Sequence, residues 1–337
     1  MRSIHEILNN QYYKKSSWIL ILLPLSYIYF LIIFLRSWSY KSGIFKTIKI
    51  NVPVIIVGNI NIGGTGKTPL VIWLLEKLIK FGMKPGLICR GYNSNASKSI
   101  EVLKNSKVEN VGDEALMIKL RLDIPIFSGK KRGQVARSLL MTYPDVDVVI
   151  SDDGLQHFEL FRDFEIVVVD GVRLFGNGHL IPAGPLRETV TRVKKVDAVV
   201  INSQVKKEIL PLFENTNDLY EMAYSGDVLQ NCVHTNQIFD LSRIDKEIIA
   251  VTGIGNPERF FTQLTNAGVN FKRRIFNDHH MFTESDFKDY DGMEIVMTEK
   301  DAVKCKIFAK ENFWFLPVSA DVEEKLFTKI IKKIRTN

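Results

Sequence analysis

Residues 57–75, VGNINIGGTGKTPLVIWLL, decide the fold, because an apolar run leads into a glycine-rich turn and then into a helical pattern. This order is typical of a phosphate-binding loop, in which backbone N–H groups at the start of a helix surround phosphate oxygens. The strict motif G-x-x-x-x-G-K-[ST] has glycine five residues before Gly66, where this chain has Asn61. Asparagine is among the few other residues that adopt left-handed backbone angles, so we expect the variant to be tolerated.

Each residue type in the loop has its own chemistry. Backbone N–H groups surround the phosphates, Lys67 can reach the β- and γ-phosphates, and the Thr68 hydroxyl can ligate Mg²⁺. Pro69 suits the first turn of a helix. The alternative is a glycine-rich turn with an incidental lysine. We expect a nucleotide to be bound by Asn61, Ile62, Gly63, Gly64, Thr65, Gly66, Lys67 and Thr68.

The composition of the 337 residues is that of a globular protein, with 25% charged and 46% apolar residues. The net charge of +7 favours phosphates, nucleic acid or an acidic membrane surface as partners, or it is only a solvated surface. Cys89, Cys232 and Cys305 form no C-x-x-C pair, which argues against a disulfide scaffold or a zinc site and favours a reducing compartment.

Residues 18–35, WILILLPLSYIYFLIIFL, contain no charge. As a helix they would span about 27 Å, close to the ~30 Å hydrocarbon core of a bilayer. A cleaved signal peptide is disfavoured, because no small-x-small site follows. A buried core helix and a membrane anchor remain, and we expect the anchor, either spanning or lying in one leaflet. Pro24 permits a kinked, partly inserted helix.

Apolar runs and helical patterns alternate after this segment, which predicts a P-loop, doubly wound α/β fold with a mostly parallel sheet. We expect an N-terminal membrane segment at 1–45, a P-loop core at 46–217 and a smaller α/β domain at 218–337. Residues 204–246 are polar and poorly periodic. The predicted strands are 52–57, 85–89, 124–128, 146–151, 165–170, 198–202, 248–252, 294–298 and 313–318; the helices include 70–81, 113–121, 133–143 and 257–266.

Two adjacent carboxylates, Asp152 and Asp153, follow the apolar run in VDVVISDDGLQH. Open α/β sheets place their ligands at this end of their strands, and a Walker B acid there holds Mg²⁺ directly or through water. A pair of solvated loop acids is the alternative. Gln156 and His157 are either groups near the site or turn residues.

Four further motifs contain groups that can act in a site. Asp113 stands where a helix begins, so it is either a functional acid or a helix cap. NDHHMF pairs two histidines without further metal ligands, which favours an orienting or a structural imidazole over zinc. PAGPLRE presents Arg187 and Glu188 on a rigid loop. TEKDAVK looks like a base-recognition motif of GTPases, but its lysine is misplaced, so guanine specificity is not supported.

Taken in order, these elements resemble the tetraacyldisaccharide 4′-kinases of lipid A biosynthesis. The resemblance covers residues from about 18 to 304. It rests on the apolar N-terminal segment followed by VGNINIGGTGKTP, CRGY, VGDEA, SDDGLQH, LIPAGPLRE, VTGIGNPERFF, DHHMF and TEKDAVK. The family's loop also lacks the first glycine.

The resemblance implies that ATP, with Mg²⁺, phosphorylates the 4′-hydroxyl of an acylated glucosamine disaccharide 1-phosphate, giving the 4′-phosphorylated lipid A precursor. It implies no nucleic-acid partner. The enzyme would act at the cytoplasmic face of the bacterial inner membrane, where the apolar segment keeps it beside a lipid substrate. The basic net charge suits an anionic substrate and lipid surface.

The resemblance also implies roles for individual residues. Asp113 would take the proton of the sugar hydroxyl, with His279 orienting it; His279 is preferred to His280 because the family motif centres on the Asp278-His279 step. Lys67, Asp152 and Asp153 would serve the reacting phosphate, with Thr68 and Asp152 on the metal. Near the substrate the matching residues are Arg90, Tyr92, Gln156, Arg187 and Glu188.

Two rival functions explain part of the pattern. A membrane-attached ATPase or a metallochaperone GTPase would account for the loop and Asp152, but not for PAGPLRE. A nucleotide-binding membrane switch would transfer no group, and it would tolerate the loss of Asp113.

Overall fold

The computed structural model describes residues 12–13, 17–91, 99–203, 207–214, 216 and 218–336. The strands in chain order are β1 (Val54–Gly58), β2 (Pro85–Cys89), β3 (Ile100–Glu101), β4 (Ile126–Ser128), β5 (Val148–Asp152), β6 (Phe164–Asp170), β7 (Ala198–Asn202), β8 (Leu219–Ser225), β9 (Val228–Asn231), β10 (Ile238–Asp240), β11 (Ile248–Thr252), β12 (Phe271–Ile275), β13 (Ile295–Thr298), β14 (Phe313–Leu316) and β15 (Ser319–Val322). The α-helices are Leu23–Lys41, Lys67–Lys80, Val108–Val111, Asp113–Arg121, Arg132–Thr142, Pro257–Asn266, Glu299–Cys305 and Glu324–Thr336.

The larger sheet has nine strands in the order β15-β8-β7-β6-β1-β5-β2-β4-β3. Its inner pairs are parallel, and the edge pairs β15–β8 and β3–β4 are antiparallel. Ile55 and Val57 of β1 pack into one apolar cluster, and Val54 and Ile56 pack into another. Both faces are therefore buried, as continuous apolar strands require. The predicted doubly wound, mostly parallel α/β fold is confirmed.

The smaller sheet has six strands in the order β10-β9-β14-β13-β11-β12. β11 lies at its parallel centre between β12 and β13, and β9 pairs antiparallel with β14 and β10. The helix Pro257–Asn266 covers one face, where Phe260, Phe261 and Leu264 are buried. The following β12 has four exposed residues, so it carries no apolar run in the sequence.

The two sheets do not divide the chain at one point. β8 and β15 complete the larger sheet, and the C-terminal helix Glu324–Thr336 buries Leu326 and Ile330 in its core. A boundary between 217 and 218 therefore does not follow the division between the sheets. The polar stretch 204–246 contains β8, whose residues alternate between buried and exposed positions, and the edge strands β9 and β10.

The apolar N-terminal segment is a 3₁₀ turn, Ser17–Leu22, followed by the α-helix Leu23–Lys41, with Pro24 in the first turn. One side of the helix packs on the protein. Ser26 Oγ donates to Leu180 O at 2.8 Å, and Tyr29 Oη donates to Arg187 O at 3.0 Å. The other side exposes large apolar residues: Leu25, Tyr27, Ile28, Phe30, Leu31, Ile32, Phe34, Leu35 and Trp38. Within the described residues, no helix meets the length and hydropathy of a membrane span.

Candidate active site

The carboxyl ends of strands in both sheets meet at one cavity of about 520 Å³. The larger sheet contributes the glycine loop after β1 and the acids at the end of β5. The smaller sheet contributes the loops that follow β11 and β12 and the start of the helix after β13. Ligands of open α/β sheets bind at these ends of the strands.

The glycine loop joins β1 directly to the helix Lys67–Lys80, as the sequence predicted. Gly63 and Gly66 have φ of 87° and 91°, which suits glycine. Asn61 is not among the described residues with positive φ, so its backbone is not the reason that the first glycine is dispensable. Its Nδ2 donates to Leu174 O at 2.7 Å, and its backbone bridges to Leu186. Asn61 thus anchors the glycine loop to its neighbours.

Lys67 points to the end of β5. Its ammonium lies 3.1 Å from Asn59 Oδ1 and 3.4 Å from Asp153 Oδ1. Arg187 pairs with the same carboxylate at 3.0 Å. Although burial alone raises the pKa of Asp153, these two cations hold it below its usual range. Asp153 is therefore a permanently ionised group beside the phosphate-binding lysine.

Asp152 has the opposite electrostatic environment. Burial and, after it, the nearby Glu114 carboxylate raise its pKa to about 7. Its Oδ1 is buried and has no hydrogen-bond partner among the described residues. Asp152 and Thr68 both line the cavity, and a carboxylate and a hydroxyl are oxygen ligands that Mg²⁺ accepts together with nucleotide phosphates. The donor set therefore fits Mg²⁺. The described residues include no cluster of three or more His, Cys, Asp or Glu that could hold a metal by itself.

Asp113 begins the helix Asp113–Arg121 and is only 5% exposed. His279 Nδ1 lies 3.0 Å from Asp113 Oδ2, and Lys300 Nζ lies 3.6 Å from the same oxygen. Burial alone raises the pKa of Asp113, but His279 and Lys300 bring it down to about 2. Asp113 is thus a carboxylate at neutral pH, held by two residues from the smaller sheet.

The two adjacent histidines point to different places. His279 has a φ of 61° and lines the cavity. His280 pairs with Asp286 at 3.2 Å and stacks on Phe276, with ring centroids 4.5 Å apart. The geometry therefore brings His279 and not His280 to Asp113.

Only some of the other predicted substrate-binding residues reach the cavity. Arg90 and Arg187 line the cavity, whereas Gln156 and Glu188 do not. Gln156 donates to Asn59 O, just after β1, at 3.1 Å and also hydrogen-bonds Glu188, so Gln156 contacts the start of the glycine loop. Tyr92 lies outside the described residues.

Comparison with known proteins shows which family the chain belongs to. The family described as tetraacyldisaccharide-1-P 4′-kinase matches residues 18–335. The chain belongs to this family.

Its relatives match over nearly their full length. The tetraacyldisaccharide 4′-kinase of Methylobacillus flagellatus is 44% identical over 99% of this chain and 97% of its own. That of Shewanella sediminis is 44% identical over 94% and 91%. The crystal structure of LpxK from Aquifex aeolicus, described as a complex with ATP, matches with a TM-score of 0.79 and 29% identity, over 94% of this chain and 99% of that one.

The sequence analysis did not identify two cations that line the cavity, Lys300 and Arg259. Arg259, near the start of the helix Pro257–Asn266, pairs with Asp170 at 3.0 Å and donates to the Tyr224 hydroxyl beside Gly66. Both lie within motifs, TEKDAVK and GNPERFF, that were recognised without a role for their cations. Both residues could have been identified from their position shortly after the buried strands β13 and β11, since ligands bind at this end of the strands.

We predict that Asp152→Asn stabilises the protein in the absence of metal and nucleotide, and increasingly so as the pH rises. The folded-state pKa of about 7 lies above the unfolded value of about 3.9, so the wild-type folded state holds an extra proton between these values. Wild-type stability therefore falls as the pH rises through this window, and an amide removes that loss.

Urea unfolding at pH 5, 6, 7 and 8 in a chelating buffer measures the effect. Asp145→Asn, at an exposed carboxylate paired with Lys84, is the matched control. If the difference in unfolding free energy between Asp152→Asn and wild type does not change with pH across this range, the raised pKa assigned to Asp152 is wrong.

Proposed function

We propose that the γ-phosphoryl group of ATP passes, within this cavity, to the 4′-hydroxyl of a tetraacyldisaccharide 1-phosphate, the reaction for which the family is named. The observation that carries the proposal is that Lys67 of the glycine loop and the ionised Asp113 line the same cavity. A phosphate donor and a hydroxyl acceptor can therefore meet between them. ATP is the cofactor of this kinase family, and Mg²⁺ accompanies it as in kinases generally.

The glycine loop holds the donor. Backbone N–H groups of residues 63–68 surround the phosphates, and Lys67 neutralises the β- and γ-oxygens. Thr68 and Asp152 would hold Mg²⁺, which when bound supplies charge neutralisation between the β- and γ-phosphates. Asp153 fixes the ammonium of Lys67 and the guanidinium of Arg187 on the same side of the cavity.

Asp113 receives the proton of the 4′-hydroxyl. A carboxylate with a pKa of about 2 is a weak base, but a loose phosphoryl-transfer transition state demands little proton transfer before the P–O bond to the leaving group breaks. Orientation of the hydroxyl then matters most, and the 3.0 Å contact with His279 fixes the carboxylate. Arg90 and Arg187, which line the cavity, suit the anionic lipid headgroup.

Asp113→Asn and Lys67→Ala should each lower kcat by at least about 10²-fold, the low end for the loss of a catalytic group. The change at Asp113 should leave ATP affinity within about threefold of wild type, because Asp113 is not part of the phosphate-binding loop. Transfer of labelled phosphate from ATP to the acylated disaccharide, and binding of a fluorescent ATP analogue, measure the two quantities.

Asp123→Asn is the control, since this exposed acid lies just beyond the other end of the same helix. Near-normal transfer by purified Asp113→Asn protein would rule out the role of Asp113. ATP hydrolysis without transfer by the wild type would favour a nucleotide-driven switch.

The exposed face of the helix Leu23–Lys41 lies on the lipid surface at the cytoplasmic side of the inner membrane. Its apolar residues are 41% to 70% exposed, and its buried face is tied to the loop that presents Arg187. Apolar burial and basic charge both favour an anionic lipid interface. In this arrangement the acyl chains of the substrate remain in the leaflet while its headgroup reaches the cavity.

Replacing Ile28, Ile32 and Leu35 together by serine should remove most of the binding to anionic vesicles. Transfer to a detergent-dispersed substrate should stay within about threefold, because the contacts of Ser26 and Tyr29 are retained. The matched control replaces Met141, Ile238 and Ile307 by serine; these residues are also exposed and apolar but lie outside the helix Leu23–Lys41. Equal vesicle recovery of both variants would contradict the assigned membrane face.

A further inference from the structure

Lys300 is a buried cation among three carboxylates. Its ammonium lies 3.2 Å from Glu114 Oε1, 3.6 Å from Asp113 Oδ2 and 3.9 Å from Asp278 Oδ1, and its side chain is 16% exposed. Burying an ammonium is costly unless it is paired, and here three partners surround it. Burial alone would lower the pKa of Lys300, but the carboxylates of Glu114, Asp113 and Asp278 raise it above its usual range. Lys300 therefore remains a cation beside Asp113.

These ion pairs connect the two sheets. Asp113 and Glu114 begin a helix packed on the larger sheet, whereas Lys300 is the second residue of the helix Glu299–Cys305 after β13 of the smaller sheet. Lys300 lines the cavity that also contains Lys67. Lys300 is therefore close enough to the reacting groups to influence phosphoryl transfer. An ion pair on an exposed surface away from the cavity would contribute little even to stability.

The residue after Lys300 fixes it in place. Asp301 is fully buried and accepts hydrogen bonds from Gly253 N at 3.0 Å and Thr298 Oγ1 at 2.6 Å. Gly253 O in turn accepts the backbone N–H of His279 at 3.2 Å. Lys300 and His279, the two side chains that contact Asp113 Oδ2, are thus linked through Asp301 and Gly253 within the smaller sheet.

We propose that Lys300 is a positioning residue for phosphoryl transfer, which fixes the Asp113 carboxylate across the junction of the two sheets. The inference rests on the proposed function of Asp113. The division of work with His279 is chemical: an imidazole can donate its hydrogen bond whether neutral or charged, whereas the lysine supplies a full positive charge at neutral pH. Displacing the carboxylate by about 1 Å is enough to slow a positioned reaction about 10²-fold.

A double-mutant cycle tests this role. Lys300→Met should lower kcat at least tenfold and leave KM for ATP within about threefold, because the glycine loop binds the nucleotide. In the Asp113→Asn background the same change should cost less than about threefold, because the carboxylate that Lys300 positions is already gone. Lys300→Arg, which keeps the charge and faces an open cavity, should recover most of the lost kcat.

Lys306→Met is the matched control, an exposed lysine at the end of the same helix and outside the catalytic cavity. It should keep wild-type kcat. Binding of a fluorescent ATP analogue checks that each variant is folded, and Lys300→Gln replaces Lys300→Met if the latter does not fold.

An equal loss from Lys300→Met in both backgrounds, or an equal loss in Lys300→Arg and Lys300→Met, would overturn the inference and leave a structural ion pair. Wild-type protein without any phosphate transfer would instead overturn the proposed function and this inference with it.

Discussion

The contact of Asp113 with His279 and Lys300 joins the two sheets at the point where the chemistry is proposed. The carboxylate belongs to the larger sheet and both partners belong to the smaller one, so neither sheet contains the complete site. The contact also reverses the effect of burial on the carboxylate, since a buried acid without partners would be held neutral. In the proposed mechanism the larger sheet binds the donor, whereas positioning of the acceptor needs residues of both sheets.

The two adjacent acids after β5 show how environment divides roles between like groups. Asp153 faces Lys67 and Arg187 and stays ionised, whereas Asp152 is buried with an unpartnered oxygen and its pKa rises to about 7. A cation bound beside Asp152 would favour its charged form. The protein without ligands therefore holds a destabilised group where a metal ion is expected, a common cost of a functional site.

Much of the fold could be predicted because its central strands are buried on both faces. β2, β7 and β11 and the helices Asp113–Arg121 and Pro257–Asn266 match their predicted bounds. Half-exposed and edge strands such as β8 and β12 were missed, because their residues alternate or are mostly polar. The return of β15 to the larger sheet is a long-range pairing that no local pattern encodes.

The site divides in the same way. The glycine loop and the acids of β5 are local motifs, and the sequence placed them correctly at the ends of strands. The pairing of Asp113 with Lys300, 187 positions further along the chain, depends on how the sheets pack. Asn61 shows a further limit. We predicted that asparagine is tolerated there because it can adopt left-handed backbone angles. In the structure its side chain instead anchors the glycine loop by a hydrogen bond to Leu174. The apolar N-terminal segment was recognised, whereas its one-sided packing through Ser26 and Tyr29 was not.

The most direct test of the account is the position of the phosphate on the product. The purified protein is incubated with ATP, Mg²⁺ and tetraacyldisaccharide 1-phosphate, and the isolated lipid is analysed by ³¹P NMR with correlation to the sugar protons. We expect a second phosphomonoester signal coupled to the proton at carbon 4′. A lipid with only its original 1-phosphate, together with ATP converted to ADP and free phosphate, would contradict it.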